Sequence, residues 1–170
     1  MQRIVVTGNA GAGKTTLSRK LGELLGLPVV SLERVVWDPG WVHVPKDEVQ
    51  RRLEPILHRD RWIIDGVSTR ACQAADTVIF LDFPSIVCFG RALRRSLRHL
   101  FNQRPDLPER CPEISIFWGM TKIIFQFPKT TRPKILRLLE ENDRRKTVVR
   151  IHSFVELRQF LATLSGKADE

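Results

Sequence analysis

The run Gly8-Asn9-Ala10-Gly11-Ala12-Gly13-Lys14-Thr15 has the glycine, lysine and hydroxyl spacing of a phosphate-binding loop. Its glycines let the backbone curl until successive N–H groups point inward and form an anion nest. The helix expected behind it adds unpaired N–H donors and a favourable dipole. The spacing predicts that Lys14 reaches the β- and γ-phosphates of a nucleoside triphosphate and that the Thr15 hydroxyl ligates Mg²⁺. The binding set read here is Gly8, Asn9, Ala10, Gly11, Ala12, Gly13, Lys14, Thr15 and Thr16.

A loop of this kind says nucleotide, not reaction. Carboxylates at strand ends are the next requirement. Trp62-Ile63-Ile64-Asp65-Gly66 and Thr77-Val78-Ile79-Phe80-Leu81-Asp82 are both apolar runs closed by an acid. That is the form of a carboxylate that holds Mg²⁺ directly or through water. Asp65 is the better fit, because Gly66 and then Arg70 follow it. Asp82 reads more readily as the N-terminal cap of a helix opening at Pro84. Glu33, just after the second strand, reads equally as the base for a hydroxyl acceptor and as a solvated loop acid. Arg34 and Asp38 share that ambiguity. Trp37 and Trp41 read as a stacking surface for a planar acceptor or, more readily, as packing beneath the Pro39-Gly40 turn.

Arg91, Arg94, Arg95 and Arg98 fall at i, i+3, i+4 and i+7 and share one helix face. Guanidinium groups clamp phosphate oxygens and offset charge that develops during phosphoryl transfer. Such a face is ordinarily just solvated. Here a polar, proline-bearing stretch at 102–112 follows, then Lys129, Arg132 and Lys134, which favours a basic lid that excludes water.

These residues need a frame to hold them. The pattern predicts strands at 3–7, 29–32, 62–65, 77–82 and 147–151, alternating with helices at about 14–26, 46–59, 84–101 and 131–144. A final helix opens on the capping box Ser153-x-x-Glu156. The stretch 113–127 is apolar nearly all round, which implies burial or a partner surface. Apolar strands alternating with helices predict an α/β domain, a parallel sheet covered on both faces as three layers.

Composition bounds the rest. A chain of 170 residues, 42% hydrophobic and 28% charged, reads as one globular domain spanning 1–170. No apolar run is long enough to span a bilayer, and the start of the chain does not read as a signal peptide. Cys72, Cys88 and Cys111 are widely spaced and odd in number, so neither a disulfide framework nor a zinc site is predicted, and a cytoplasmic location is expected. Residues 91–150 hold 15 Lys+Arg against 6 Asp+Glu, which alone accounts for the net charge of +9. Such a basic region suits an arginine-lined phosphate site or a nucleic-acid footprint.

With these pieces assembled, the chain resembles the P-loop kinase superfamily of adenylate, shikimate and gluconate kinases. The matching parts are Gly8 to Thr15, the acid after the second strand, Asp65-Gly66-x-x-x-Arg70, the arginine helix and the lid segment. More closely it is similar to the bacterial adenylate-kinase-like proteins described as DNA topology modulation proteins. Pro39-Gly40-Trp41, Trp62 to Gly66, Ile79 to Asp82, Arg104 to Glu113 and Arg132-Pro133-Lys134 carry that likeness. The resemblance implies a five-stranded sheet of order 2-3-1-4-5, a lid-like insertion at about 101–131, and ATP with Mg²⁺ as cofactors. It also implies Asp65 as the Mg²⁺-associated acid, Arg91 and Arg95 near the nucleotide phosphates, Arg132 closing over them, and Arg70 near the acceptor. Two departures touch the acceptor side: Glu33 stands where the family usually has aspartate, and Val67 where asparagine usually follows Asp65-Gly66.

The expected function is phosphoryl transfer from ATP to a small-molecule acceptor, such as a nucleoside, a nucleotide or another hydroxyl or phosphate compound. Lys14, Asp65, Glu33, Arg95 and Arg132 form the catalytic set. Glu33, Trp37, Trp41, Gly66 and Arg70 form the acceptor set, and Thr15 and Asp65 the metal set. The alternative is an ATP-regulated nucleic-acid-binding protein acting on DNA topology, although no reading module is recognisable. No membrane partner is expected, and the chain is expected to be a monomer or homodimer.

Overall fold

The structure, a computed structural model, describes residues 1–98, 117–141 and 146–165. Five parallel strands form the central sheet: β1 (Arg3–Gly8), β2 (Val29–Ser31), β5 (Trp62–Asp65), β6 (Thr77–Leu81) and β7 (Thr147–Ile151). They lie side by side as β2-β5-β1-β6-β7, with Val5 opposite Ile64 on one side and Val78 on the other. Counting only these five strands, the order is the expected 2-3-1-4-5.

The apolar runs follow from burial on both faces. Ile4, Val6, Ile63, Ile79 and Leu81 pack on one side against α1 (Lys14–Leu25), α5 (Ser85–Arg98), α6 (Phe117–Thr130) and α8 (Phe154–Ser165). Val5, Trp62, Ile64 and Val78 face the other way, onto Val35 of α2 (Glu33–Val36), Leu53 of α3 (Lys46–Leu57), and Ala71 and Cys72 of α4 (Thr69–Ala74). Strand alternation thus sorts one continuous run into two cores. A third cluster, Phe80 with Phe127 and Ile135, seats α6 and α7 (Arg132–Glu141) on the sheet.

Termini obey local chemistry. Gly26 ends α1 in the left-handed region at φ 62. Ser153 and Glu156 form the expected capping box: Glu156 N–H donates to Ser153 Oγ at 3.2 Å and His152 N–H to Glu156 Oε2 at 2.9 Å.

Several elements differ from the sequence reading. The segment after β2 makes the short helix α2 and then a hairpin, β3 (Trp37–Asp38) with β4 (Val42–His43), around the expected Pro39-Gly40 turn. Helix α4, capped by Ser68 Oγ, was also not anticipated. Both α2 and α4 are too short for a helical period to register. The apolar stretch 113–127 is buried on one side only: Met120, Ile124 and Phe127 face the core, while Trp118, Ile123 and Phe125 are exposed. The described part of the segment 101–131 is α6, docked against α5; the remainder, with the 102–112 stretch, lies outside the described residues.

Candidate active site

The Gly8–Thr15 loop leaves β1 at the carboxyl edge of the sheet and opens α1, where ligands bind in open parallel sheets. Gly11 is required by contact as well as by curvature. At Gly11 (φ +78) a Cβ would lie 2.2 Å from the carbonyl oxygen of Cys88 on α5. At Gly13 (φ +98), the residue before α1, a Cβ would lie 2.8 Å from Nη2 of Arg91. The loop is therefore pressed onto α5, with a guanidinium beside the helix N-terminus. Arg91 is held there by stacking over the Phe154 ring, 4.7 Å from its centroid, and Phe154 in turn packs on Phe83. Burial lowers the Arg91 pKa from its ordinary value, with Arg95 adding to the effect and Cys88 opposing it. Arg95 itself extends Nη2 to within 3.2 Å of Met120 Sδ. Arg91, Arg94, Arg95 and Arg98 together line a hollow of about 280 Å³.

Thr15 and Asp65 meet directly: the hydroxyl donates to Oδ2 at 2.6 Å. Asp65 is buried at the end of β5. Lys14 Nζ donates to the Asn9 carbonyl at 3.1 Å, bent back over its own loop.

Asn9 does more than contribute backbone to the nest. It is 1% exposed, and its Nδ2 donates to the Ile124 carbonyl of α6 at 3.0 Å. Ser85 Oγ donates to the same oxygen, also at 3.0 Å. That carbonyl needs outside donors because the residue four positions on is Pro128, which has no N–H to offer. The interior proline of α6 was the sequence signal for this link.

A cleft of about 380 Å³ opens over the loop. Gly8, Ala10 and Lys14 form its floor, with Asp65, Gly66 and Val67 beside them. Leu32, Glu33, Val36 and Trp37 form one wall, and Ile123, Phe127 and Thr131 the other. The first wall is fixed at both ends. Leu32 N–H donates to the Asp65 carbonyl at 2.9 Å, and Arg52 of α3 grips Asp38 of the hairpin at 2.8 Å. Asp38 is consequently held below its ordinary pKa by the Arg52 hydrogen bond. Trp37 is set by edge contacts to Trp41, at 5.5 Å and 86°, and to His43, at 5.1 Å and 80°. Thus Lys14, Asp65, Glu33, Gly66 and Trp37 come together on one cleft. Trp41, at φ 60, supports Trp37 rather than lining it.

Two expected residues are placed elsewhere. Arg70 Nη2 pairs with Glu54 Oε2 at 2.5 Å in a separate groove between α3 and α4, with Leu57, His58, Gln73 and Ala74. Arg132 binds Asp82 with both nitrogens, Nε to Oδ1 at 2.8 Å and Nη2 to Oδ2 at 2.9 Å.

The reading of Asp82 as a helix cap is corrected by that pairing. Its carboxylate, 6% exposed, is taken by Arg132 on one side and by Arg150 of β7 at 2.5 Å on the other, with His152 Nδ1 3.7 Å away. Burial works against the charge, yet the Arg132 and Arg150 hydrogen bonds outweigh it and keep the carboxyl below the usual carboxylate range. The two guanidiniums outcompete a local cap because they are charged donors.

No family model matches the chain. Among curated proteins it is similar to archaeal proteins provisionally described as adenylate kinases. Those of Saccharolobus islandicus and Saccharolobus solfataricus are each 30% identical over 89 residues, covering 46% of this chain and 47% of the relative. The chain thus spans about half the length of the curated relatives it matches. Among solved structures it is similar over nearly its whole length to two shikimate kinases. That of Acinetobacter baumannii, in complex with shikimate, is 18% identical with a TM-score of 0.59, covering 98% of this chain and 95% of the other. That of Bacteroides thetaiotaomicron is 15% identical with a TM-score of 0.56, covering 99% of each. These relatives do not bear on the narrower likeness to DNA topology modulation proteins. Among the described residues no helix is long and apolar enough to cross a membrane. The chain thus has the α/β fold of these structures, with the Gly8–Thr15 loop at the carboxyl edge of its sheet.

Proposed function

We propose that the chain is an ATP-dependent kinase that phosphorylates a small hydroxyl-bearing acceptor. The observation that carries this reading is the contact of Thr15 with Asp65 at the mouth of a glycine nest, with Lys14 above and a cleft in front. An anion nest, one cation and a hydroxyl–carboxylate pair are what a metal-bound triphosphate needs.

The donor set fits Mg²⁺. Thr15 and Asp65 are hard oxygen donors, and among the described residues no group of three or more His, Cys, Asp or Glu gathers into a metal cage of its own. Thr15 and Asp65 would hold the ion with phosphate oxygens and water completing the shell. When bound, Mg²⁺ supplies charge neutralisation on the β- and γ-phosphate oxygens. Lys14 would swing from the Asn9 carbonyl onto those phosphates, and Arg91 lies ready at the N-terminus of α1. In the transfer, the acceptor oxygen bonds to the γ-phosphorus and the bond from that phosphorus to the β–γ bridging oxygen breaks. ADP leaves with the electron pair, and Glu33, on the cleft wall, takes the hydroxyl proton. Arg95 and Arg132 are the further groups assigned to offset charge, the latter by exchanging Asp82 for phosphate.

The test is ATP binding and ATP-dependent labelling of a metabolite mixture by the wild type and by Lys14→Ala. Wild-type labelling that Lys14→Ala abolishes supports the reading; a wild type without ATP affinity refutes it. The four-arginine hollow is the one observation that favours nucleic acid instead. Tight DNA binding with a steep salt dependence, lost in Arg94→Ala/Arg98→Ala while ATP binding persists, would establish that reading.

A further inference from the structure

At Ile124 the phosphate loop takes hold of one wall of the cleft. Ile123 and Phe127 of α6 line that wall, while Ile124, between them in sequence, is buried in the core. The Ile124 carbonyl accepts from Asn9 Nδ2 and from Ser85 Oγ, each at 3.0 Å, and Pro128 has no N–H to offer it. The two donors belong to different elements. Ser85, at the start of α5, clamps α6 to its neighbouring helix. Asn9 ties α6 to the anion nest itself.

The main chain of Asn9 is engaged as well. Its carbonyl accepts from Lys14 Nζ at 3.1 Å and from Ala12 N–H at 3.2 Å. One residue therefore touches the lysine of the loop with its backbone and the cleft wall with its side chain. The side chain is buried, and close-packed interiors pass on small shifts rather than absorb them. A triphosphate in the nest needs the Asn9 main chain fixed, and a docked α6 needs the Asn9 side chain fixed. Whichever is ordered first removes freedom that the other would otherwise have to remove, which is a positive coupling even without a change of shape.

Resting on the kinase reading above, we propose that Asn9 is a positioning residue that couples the two halves of the site. Through the Ile124 carbonyl it ties the Ile123–Phe127 wall to the triphosphate in the nest, so that binding the donor firms the surface against which the acceptor is placed. Ser85 holds the same oxygen as the structural half of the clamp.

The experiment reads hydrogen–deuterium exchange of α6 amides in the full chain, with Mg²⁺ alone and with Mg²⁺ plus a non-hydrolysable ATP analogue. Each protein is brought to the same occupancy by its own titration, and the α1 amides report loading of the nest. In the wild type the analogue is expected to slow exchange of the α6 amides by about fivefold or more, the lower end of ordinary coupling between sites. In Asn9→Ala that slowing should fall below about twofold, the scatter of uncoupled sites, while the slowing on α1 remains. Ser85→Ala removes the other donor to the same oxygen and should keep the α6 response. Asn9→Ala/Pro128→Ala supplies the missing N–H within the helix, which restores stability without restoring the bond to the loop. Its α6 response should therefore also stay below about twofold, and it decides the matter if Asn9→Ala does not fold. A response of wild-type size in the double variant, its loss in Ser85→Ala, or a wild type in which the analogue slows α1 but not α6 overturns the coupling and leaves the kinase reading standing. Failure of the analogue to bind the wild type removes the kinase reading instead.

Discussion

The link between Asn9 and Ile124 makes a prediction that depends on a missing proton. In a regular helix the Ile124 carbonyl would accept from the N–H of residue 128, and Pro128 leaves it to Asn9 Nδ2 and Ser85 Oγ. Asn9→Ala removes one of two donors to a buried acceptor. Leaving such a group under-satisfied costs about 1–3 kcal/mol, and with Ser85 still in place the lower part of that range, about 1–1.5 kcal/mol, applies. For a chain of this size that is a fall in Tm of roughly 2–6 °C. Pro128→Ala restores an N–H at the right spacing, so the same Asn9→Ala change should then cost about 0.5 kcal/mol or less. The coupling energy across the cycle is thus about 1 kcal/mol, twice the scatter expected for independent sites. Urea midpoints of the four proteins measure it. Additivity within about 0.5 kcal/mol would refute the account, since Asn9 would then be stabilising something other than the orphaned carbonyl.

Three further outcomes follow from the geometry. Gly11→Ala should abolish binding of ATP, because its Cβ would meet the Cys88 carbonyl at 2.2 Å and the loop must leave α5 to admit it; unchanged affinity in a nucleotide titration would contradict this. Phe154→Ala should release Arg91 from beside the phosphate loop and weaken ATP by about two- to fivefold, the 0.5–1 kcal/mol of an exposed cation–π contact. Asp82 has its pKa depressed in the fold, so its stabilisation is complete above the unfolded carboxylate value of about 3.9 and is lost as pH falls through the lower folded value. Asp82→Asn should cost about 3 kcal/mol at pH 7 and flatten the acid limb of the stability profile below about pH 4; an acid limb identical to the wild type would show that the carboxylate contributes nothing.

What could be read from the chain was what neighbouring residues determine together. The phosphate loop, its flanking strand and helix, the strand-ending Asp65 and the Ser153–Glu156 box each depend on contacts within a few residues. The sheet order was accessible only through family likeness, because apolar runs such as Ile4-Val5-Val6 do not specify their partners. Asp82 was misread for a related reason: the helix start two residues on is visible locally, whereas its real partners stand 50 and 68 residues away. Asn9 and Ile124 are 115 apart, and only Pro128 hinted that a carbonyl in α6 would seek a donor. Arg70 followed a motif to the acceptor, yet Glu54, on a helix whose position the motif does not encode, offered a closer carboxylate.

The short contact between Thr15 and Asp65 also gives the protein a built-in gauge. While the hydroxyl donates to the carboxylate at 2.6 Å, α1 and β5 share a proton that no solvent molecule separates. On the reading proposed above, loading the nest brings a cation to the lone pairs of the same hydroxyl oxygen, which changes the electronic surroundings of the contact. The carboxyl carbon resonance of Asp65 and the slow exchange of the Thr15 hydroxyl proton would then report occupancy from inside the molecule. No dye or coupled assay is needed, and the acceptor need not be known for the signal to be read.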